Sequence, residues 1–351
     1  MLVALIPSNP LIPFLIDGSM LLHTGGVEMG QGLYTKMCQV AAEELGVSVD
    51  QIFSKDSQTD QVANPSPTAA SSGSDLNGMA VKNACDQLNE RLAPYRKQFG
   101  PDAPMSVIAH AAYRDRVNLA ANGFWKMPRI GYKWGNYKDP LPMYYYFTQG
   151  VAITEVELDV LTGDHTVLRT DIMMDVGRSI NPSIDYGQIE GAFVQGQGLF
   201  TMEESLWTRE GELFTRGPGT YKIPGKTSGI CTVPTLGTNV RIGFSDIPQV
   251  FNVSMLRHDS SGNAISWKHL RSIQSSKGVG EPPLFLGSTV FFALREAVKA
   301  AREMNGVIKP LILNAPATPE KLRLAVGDEL VERAAVAPKD GETNFFVRIE
   351  E

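Results

Sequence analysis

Residues 277–302 read KGVGEPPLFLGSTVFFALREAVKAAR, a glycine-rich turn followed by a helical pattern. Proline is favoured in the first turn of a helix, so Pro282-Pro283 predicts that a long helix begins there. Its inward face should consist of the apolar residues at helical spacing, namely Leu286, Val290, Leu294, Ala297 and Ala301. Glu281 precedes the prolines. It is either an ordinary helix cap or a carboxylate that its apolar neighbours poise as a base.

Two more loops of small residues precede helical patterns. Residues 25–32, GGVEMGQG, lead into a helix that Gly46 should end. Residues 66–73 lead into a helix with apolar residues four apart, which Pro94 should disturb or end. Backbone N–H groups of such loops suit an anionic or phosphate-bearing ligand. Taken singly, each loop is more simply a tight turn that feeds a helix.

The remaining patterns mix strands with helices. A short strand is predicted at Met20–His23, and alternating residues within 144–176 predict a hairpin that turns at Thr162-Gly163-Asp164. Another helix should begin at Asn181-Pro182. Strict alternation of strand and helix is missing, so we predict an α+β fold. The tail after Asn305 contains four prolines and is predicted to be loosely structured.

Composition argues against several classes of function. The chain has 351 residues, a net charge of −6 and no long basic run, so we expect no nucleic-acid partner. Its three cysteines form no CxxC pair and its five histidines no HExxH motif, so a side-chain metal site is not expected. The apolar start is too short and too interrupted by proline to span a membrane. We expect a cytoplasmic protein, with the peroxisome as the alternative.

Six segments in a fixed order carry a resemblance to one family. They are TGGVEMGQGLYTKMCQVAAEEL (24–45), SPTAASSGSDLNG (66–78), LTGDHTVLRTDIMMDVG (161–177), NPSIDYGQIEGAFVQGQGLF (181–200), TRGPGTYKIP (215–224) and the stretch 277–302. Together they resemble the C-terminal molybdopterin-binding region of molybdenum hydroxylases, the family of xanthine dehydrogenases and aldehyde oxidases, with the closer likeness to xanthine dehydrogenase. The implied fold is the second, C-terminal lobe of the molybdenum-cofactor-binding domain.

The resemblance also implies the site residues. Gly30 and Gln31 match cofactor-binding positions, with Gln31 in contact with the pterin, and Gln195 matches a second glutamine on the cofactor side. The loop that wraps the cofactor would be Thr68, Ala69, Ala70, Ser71 and Ser72, with Ala70 nearest the molybdenum. Glu281 matches the catalytic base of the family.

The implied reaction is the oxidation of hypoxanthine or xanthine at a molybdenum-molybdopterin cofactor, with an aldehyde oxidase-like reaction as the alternative. Glu281 would remove the proton from Mo–OH, the oxygen would attack an electrophilic carbon of the purine or aldehyde, and hydride would pass to Mo=S. The cofactor holds the metal through its own dithiolene, which agrees with the lack of side-chain ligands. A further alternative is an inert fragment without the upstream cofactor and electron-transfer domains.

The chain departs from the family pattern in three stretches. Residues 1–16 form an unmatched leader, either a buried strand or a non-native segment, before the cofactor-binding part at 17–305 and the tail at 306–351. In a complete enzyme, FAD and [2Fe-2S] domains would lie upstream and the assembly would be a homodimer. Residues 226–242, KTSGICTVPTLGTNVRI, interrupt a family-like segment. We interpret them as an insertion, either translated intron or an exposed loop of this lineage.

Overall fold

The computed structural model describes residues 11–62, 65–128, 130–131, 133–138, 141–208, 210–225, 246–259 and 261–334. The predicted insertion at 226–242 lies outside the described residues, as do residues 1–10 of the predicted leader. The chain divides into two compact units. The first consists of Met1–Gln149, Met174–Gln188 and Met255–Pro282, and the second of Gly150–Met173, Ile189–Ser254 and Pro283–Glu351.

The first unit is built on helices with two small strand pairs. Its helices are α1 (Leu33–Leu45), α2 (Gly73–Phe99) and α3 (Met105–Arg114). Strand β1 (Leu11–Pro13) pairs antiparallel with β4 (Ala120–Asn122), and β2 (Met20–Leu22) pairs parallel with β3 (Ile52–Ser54). Ile12, within the predicted leader, is fully buried on β1. The core lies mainly between α1 and α2.

Helix α1 confirms the sequence pattern that predicted it. Leu33, Met37 and Leu45 are all buried on one face, as their spacing requires. Gly46 ends the helix in the left-handed conformation, with φ 65°, and its N–H donates to the Ala42 carbonyl. Glycine is favoured there because it has no Cβ to clash.

Pro94 was predicted to disturb or end helix α2, and the helix continues through it to Phe99, so the proline does not end it. Tertiary contacts stabilise the turns around and beyond the proline. Leu92 is fully buried, the Arg96 guanidinium donates to the Leu45 carbonyl over 2.6 Å, and the Tyr95 hydroxyl donates to Asp115 over 2.9 Å. These contacts outweigh the one backbone hydrogen bond that proline removes.

The second unit contains a three-stranded sheet covered by a helix. Strands β5 (Gly150–Leu158), β6 (His165–Met174) and β7 (Val250–Met255) pair in the order β5-β6-β7, which confirms the predicted hairpin. Helix α5 (Ser288–Met304) packs on β5, where the hydroxyls of Thr154 and Thr289 lie 2.7 Å apart. Helix α4 (Pro182–Thr201) starts in the first unit and ends in the second.

Two predictions about the C-terminal part need correction. The prolines at 282–283 begin a 3₁₀ turn, Pro282–Gly287, and the α-helix starts only at Ser288. This turn lies directly on α4, since a Cβ at Gly196 would meet the Leu284 carbonyl oxygen at 1.9 Å. The tail is also more ordered than predicted, because it forms α6 (Pro319–Val326) and α7 (Glu329–Ala334).

The start of α6 carries a signal that the sequence reading overlooked. Thr318 caps the helix by accepting a hydrogen bond from the Lys321 N–H, and Pro319 occupies the first turn. Leu322 and Val326 then bury one face. In the part of the chain that the structure describes, no helix is both long enough and apolar enough to cross a bilayer.

Candidate functional site

The three small-residue loops come together within the first unit. The Val27 N–H of the first loop donates to the Thr68 hydroxyl of the second over 2.9 Å. The Glu281 N–H of the third loop donates to the Ser71 hydroxyl of the second over 2.6 Å. The second loop therefore lies between the other two and bonds to both of them through side-chain oxygens.

Glu28 organises the first loop, and the sequence reading gave it no role. Its carboxylate accepts hydrogen bonds from the N–H groups of Gly30, Gly32 and Tyr34 at 2.8, 2.9 and 3.1 Å. Burial raises the pKa of this carboxyl, but the three N–H donors outweigh that effect and the pKa lies below its usual value. An acidic residue just before a helix start was the available signal.

Gln31 and Gly30 lie at the tip of the first loop. The Gln31 amide bonds within the loop, donating to the Val27 carbonyl over 2.8 Å and accepting from the Met29 N–H over 2.5 Å. Gly30 adopts φ 96°, and a Cβ built on it would meet no described atom within 4 Å. The tip of this loop therefore presents its backbone to space that no described residue fills.

The second loop has a constrained backbone. Ala70 and Ser71 are consecutive and both left-handed, with φ 61° and 52°. Non-glycine residues pay roughly 1–2 kcal/mol each in this region and are retained where surrounding contacts enforce them, often at functional sites. The Ser72 hydroxyl donates to the Ala69 carbonyl over 3.0 Å inside the loop. Asn77, in α2, accepts from the Gly26 N–H over 3.1 Å and ties this segment to the first loop.

The third loop packs closely on the second. A Cβ at Gly278 would lie 2.8 Å from the Ser71 carbonyl oxygen, and one at Gly280 would lie 3.2 Å from the Ser71 hydroxyl. The close approach therefore requires glycine at 278, whereas at 280 an added Cβ would make a tight contact with a side chain. The side chain of Glu281 is exposed, so the desolvation that its apolar neighbours suggested is not provided by the described residues.

A buried carboxyl and a phenol lie behind the second and third loops. The Tyr146 hydroxyl donates to Asp75 Oδ2 over 2.5 Å and accepts from the Gly278 N–H over 2.7 Å. Burial raises the pKa of Asp75 to about 7, against the opposing effects of the Tyr146 hydrogen bond and the charge of Lys36. Burial and the neighbouring Asp75 raise the pKa of Tyr146 as well. Neither residue was among the site residues predicted from the sequence.

Lys277 fixes the beginning of the third loop. Its ammonium group lies 2.5 Å from the Asp175 carboxylate, and both side chains are buried. It also donates to the Phe147 carbonyl over 2.8 Å and lies over the Trp267 ring at 5.3 Å from the centroid. An ion pair at this depth depends on such additional contacts to offset desolvation.

A family model described as the molybdopterin cofactor-binding domain matches residues 7–228. The chain belongs to this family. Among its relatives, a nicotinate hydroxylase of Emericella nidulans is 63% identical over 336 residues, and a xanthine dehydrogenase of the same organism is 56% identical over 334 residues. Each alignment covers 95% of this chain and 22% of the relative. The chain therefore spans about a fifth of the length of these relatives.

Solved structures agree on the fold of this molybdopterin cofactor-binding domain. The CO dehydrogenase of Oligotropha carboxidovorans matches with a TM-score of 0.68 at 18% identity, covering 94% of this chain and 38% of that one. The quinoline 2-oxidoreductase of Pseudomonas putida 86 matches with a TM-score of 0.69 at 20% identity, covering 92% and 38%. The predicted family and the predicted α+β fold are confirmed.

The donor groups of the domain suit a cofactor that brings its own metal ligands. The joined loops offer hydroxyls, amides and backbone N–H groups, which fit the polar edge of a pterin and a phosphate. Among the described residues, no three His, Cys, Asp or Glu side chains lie close enough to hold a metal ion. The hydroxyls, amides and N–H groups of the loops fit molybdopterin, whose own dithiolene carries the metal.

Gln195 belongs to the second unit, whereas the other predicted site residues belong to the first. It is exposed on the part of α4 that belongs to the second unit. The contacts that join the three loops of the first unit are made without it. Its predicted role beside the cofactor stays a prediction.

Proposed function

We propose that this chain supplies the catalytic base and part of the pterin-binding surface of a molybdenum hydroxylase. The observation that carries the proposal is the position of Glu281. Its backbone N–H is fixed by Ser71, whereas its side chain is exposed among the described residues. A general base must come within hydrogen-bond reach of the proton that it accepts, and an accessible carboxylate on a fixed backbone is suited to do so.

In this proposal, residues of the first unit bind the cofactor and accept the proton. Gly30, Gln31 and the loop Thr68–Ser72 would hold the cofactor, with Ala70 facing the metal. When bound, the cofactor supplies a two-electron oxidant and the oxygen that enters the substrate. Glu281 would accept a proton on a carboxylate oxygen as that oxygen is transferred. The family membership and the fit of the loop donors support this assignment.

The proposed substrate class is a nitrogen-containing aromatic ring. It includes hypoxanthine and xanthine, which the sequence resemblance implied, and nicotinate, for which the relative at 63% identity is named. Such rings have electron-poor carbons that a nucleophilic oxygen can attack. Turnover of xanthine, nicotinate and an aromatic aldehyde by the assembled enzyme would separate the candidates. Activity restricted to the aldehyde would overturn the ring assignment and favour the aldehyde oxidase-like alternative.

The test of the base is Glu281→Gln in the assembled enzyme, with the upstream domains present. The amide keeps the shape of the side chain but cannot accept the proton, so turnover should fall about a hundred-fold or more. Molybdenum content should stay near one per chain. Glu296→Gln, an exposed change on α5, is the matched control. Near-wild-type turnover by Glu281→Gln would overturn the assignment, and loss of molybdenum from the unmodified enzyme would favour the inert fragment.

The proposed partners are the upstream domains of the same enzyme, in a homodimer located in the cytoplasm. The three cysteines of the chain are too few for a four-cysteine cluster, so electrons would leave through [2Fe-2S] and FAD domains elsewhere. The isolated chain should therefore form no NADH from xanthine and NAD. Robust NADH formation without an added partner would contradict the proposal that the upstream domains carry the electrons to NAD.

A further inference from the structure

We propose that Tyr146 is a positioning residue for Glu281, because its phenol fixes the loop 278–281 and the Asp75 carboxyl fixes the phenol. The inference rests on the proposed role of Glu281 as base. The contacts that carry it, however, join Tyr146 to its neighbours independently of any activity. Neither Tyr146 nor Asp75 belongs to the three loops from which the site was predicted.

The direction of the hydrogen bonds gives the phenol its role. The Gly278 N–H donates to the Tyr146 oxygen over 2.7 Å, so the phenolic hydrogen must be donated elsewhere. It goes to Asp75 Oδ2 over 2.5 Å. Asp75 is buried in the first turn of α2, immediately after the second loop. One phenol therefore connects the start of α2 to the start of the third loop, and donation to the carboxyl strengthens it as an acceptor.

The loop carrying Glu281 is thereby bonded at both ends. At residue 278 the backbone N–H meets Tyr146, and at residue 281 the backbone N–H meets the Ser71 hydroxyl. Between them, a Cβ added at Gly280 would lie 3.2 Å from the Ser71 hydroxyl and 3.3 Å from the Gln188 amide oxygen. Two fixed N–H groups three positions apart determine the path of the backbone, and with it the origin of the Glu281 side chain.

The phenol is not needed merely to keep this loop on the unit. Lys277, the preceding residue, already bonds to Asp175 and to the Phe147 carbonyl. Removing the Tyr146 hydroxyl should leave that attachment and the Ser71 bond in place. We therefore expect the fold to persist while the backbone N–H groups of the loop become less protected from hydrogen exchange. This outcome distinguishes positioning from a purely structural role.

The first test is amide hydrogen exchange on the full chain. Tyr146→Phe keeps the ring and removes the hydroxyl, so exchange across residues 278–281 should accelerate about tenfold, while the α5 amides stay unchanged. Tyr145→Phe is the matched control, because the Tyr145 hydroxyl donates to the Arg271 carbonyl over 3.3 Å and not to the loop. Wild-type exchange of the loop in Tyr146→Phe would overturn the proposal.

Two substitutions at Asp75 test the same connection by changing the acceptor of the Tyr146 hydroxyl. Asp75→Asn leaves an oxygen that can accept from Tyr146, so loop exchange should stay within about threefold of wild type. Asp75→Ala removes the acceptor and should reproduce the acceleration seen in Tyr146→Phe. Equal loop exchange in the two Asp75 variants would overturn the proposal. This pair also decides the matter if Tyr146→Phe does not fold.

Kinetics of the assembled enzyme separate this inference from the proposed function. Tyr146→Phe should lower kcat about tenfold with a smaller change in KM, since a displaced base affects the chemical step more than substrate binding. If Glu281→Gln is active, the proposed role of Glu281 as base is overturned. Hydrogen exchange in Tyr146→Phe then still tests whether Tyr146 fixes the loop. Inactive Glu281→Gln together with wild-type kcat in Tyr146→Phe would overturn the role of Tyr146 in positioning.

Discussion

The hydroxyl of Ser71 accepts a hydrogen bond from the backbone N–H of Glu281 over 2.6 Å, across 210 positions of sequence. Ser71 does so from a left-handed backbone conformation, with φ 52°. The loop proposed to wrap the cofactor and the loop that carries the proposed base therefore share a contact. A shift of either loop should displace the other.

Replacing Ser71 with alanine tests this contact directly. Ser71→Ala keeps a Cβ in the left-handed region, so backbone strain is unchanged and only the acceptor is lost. We expect a loss of about 1 kcal/mol in the free energy of unfolding, measured by urea denaturation. Ser72→Ala is the matched control, since its hydroxyl donates to the Ala69 carbonyl within the same loop and not to the third loop as described. Faster amide exchange at Glu281 should accompany Ser71→Ala alone, and equal exchange in both variants would contradict the prediction.

The buried ion pair between Lys36 and Asp185 should be costly to break. Their atoms lie 2.5 Å apart, and the side chains are 9% and 3% exposed. Lys36→Met leaves a buried carboxylate without its cation, which should destabilise the chain by about 3–5 kcal/mol in urea denaturation. Adding Asp185→Leu should recover much of that loss, because the uncompensated charge is then removed.

An exposed pair provides the comparison for this prediction. Arg178 and Glu43 lie 3.1 Å apart but are 58% and 49% exposed, so Arg178→Ala should cost under about 1 kcal/mol. Both pairs link residues 135 or more positions apart in sequence. A similar cost for Lys36→Met and Arg178→Ala would show that burial does not set the strength of these pairs.

These contacts also show where sequence reasoning stops. Helix α1 could be predicted because its apolar spacing and Gly46 are local signals, and the resemblance selected the residues of all three loops. Asp75 and Tyr146 could not be paired in this way, since 71 positions separate them and no local pattern links the two. The continuation of α2 past Pro94 likewise depends on the distant Leu45 carbonyl and on Asp115. Local propensity is overridden wherever such tertiary contacts accumulate.

Asp75 should make the stability of the chain depend on pH. Its pKa is about 7 in the folded chain against the usual 3.8, so between these values the folded state binds a proton that the unfolded state has released. The contribution of Asp75 to the free energy of unfolding is therefore complete below pH 3.8 and is lost as the pH rises to about 7. The free energy of unfolding falls by up to about 1.4 kcal/mol per pH unit over this range. Asp75→Asn removes this dependence. The stability of Asp75→Asn relative to wild type should therefore rise by about 2–3 kcal/mol from pH 5 to pH 8.

Urea denaturation of both proteins across this range measures the effect. Taking the difference between the two cancels other titrating groups, including His165, whose pKa burial lowers. Asp102→Asn, which makes the same substitution at an exposed position, is the matched control. If the difference for Asp75→Asn is constant with pH, the raised pKa of Asp75 is wrong.

The last prediction is that residues 226–242 can be deleted without loss of the fold. The described residues on either side of the segment meet in the second unit. The Gly225 N–H donates to the Asp246 carboxylate over 3.0 Å, and the Asp246 N–H donates to the Gly225 carbonyl over 3.3 Å. The deletion leaves residues 243–245 between them, and this length suits a turn closed by a hydrogen bond between positions four apart.

Shortening this connection reduces the entropy cost of closing it, by at most about 1–2 kcal/mol. The deletion variant should therefore be as stable as the full chain or slightly more stable in urea denaturation, with unchanged amide exchange in β5 and β6. Deletion of 210–225 is the control, because it removes described residues that include the bonded Gly225, and it should destabilise the second unit. If the 226–242 deletion unfolds the unit, the segment is a native element and the translated-intron interpretation fails. If the deletion is tolerated, sequencing of mature transcripts across Gly225 and Gly243 then distinguishes a retained intron from a lineage-specific loop.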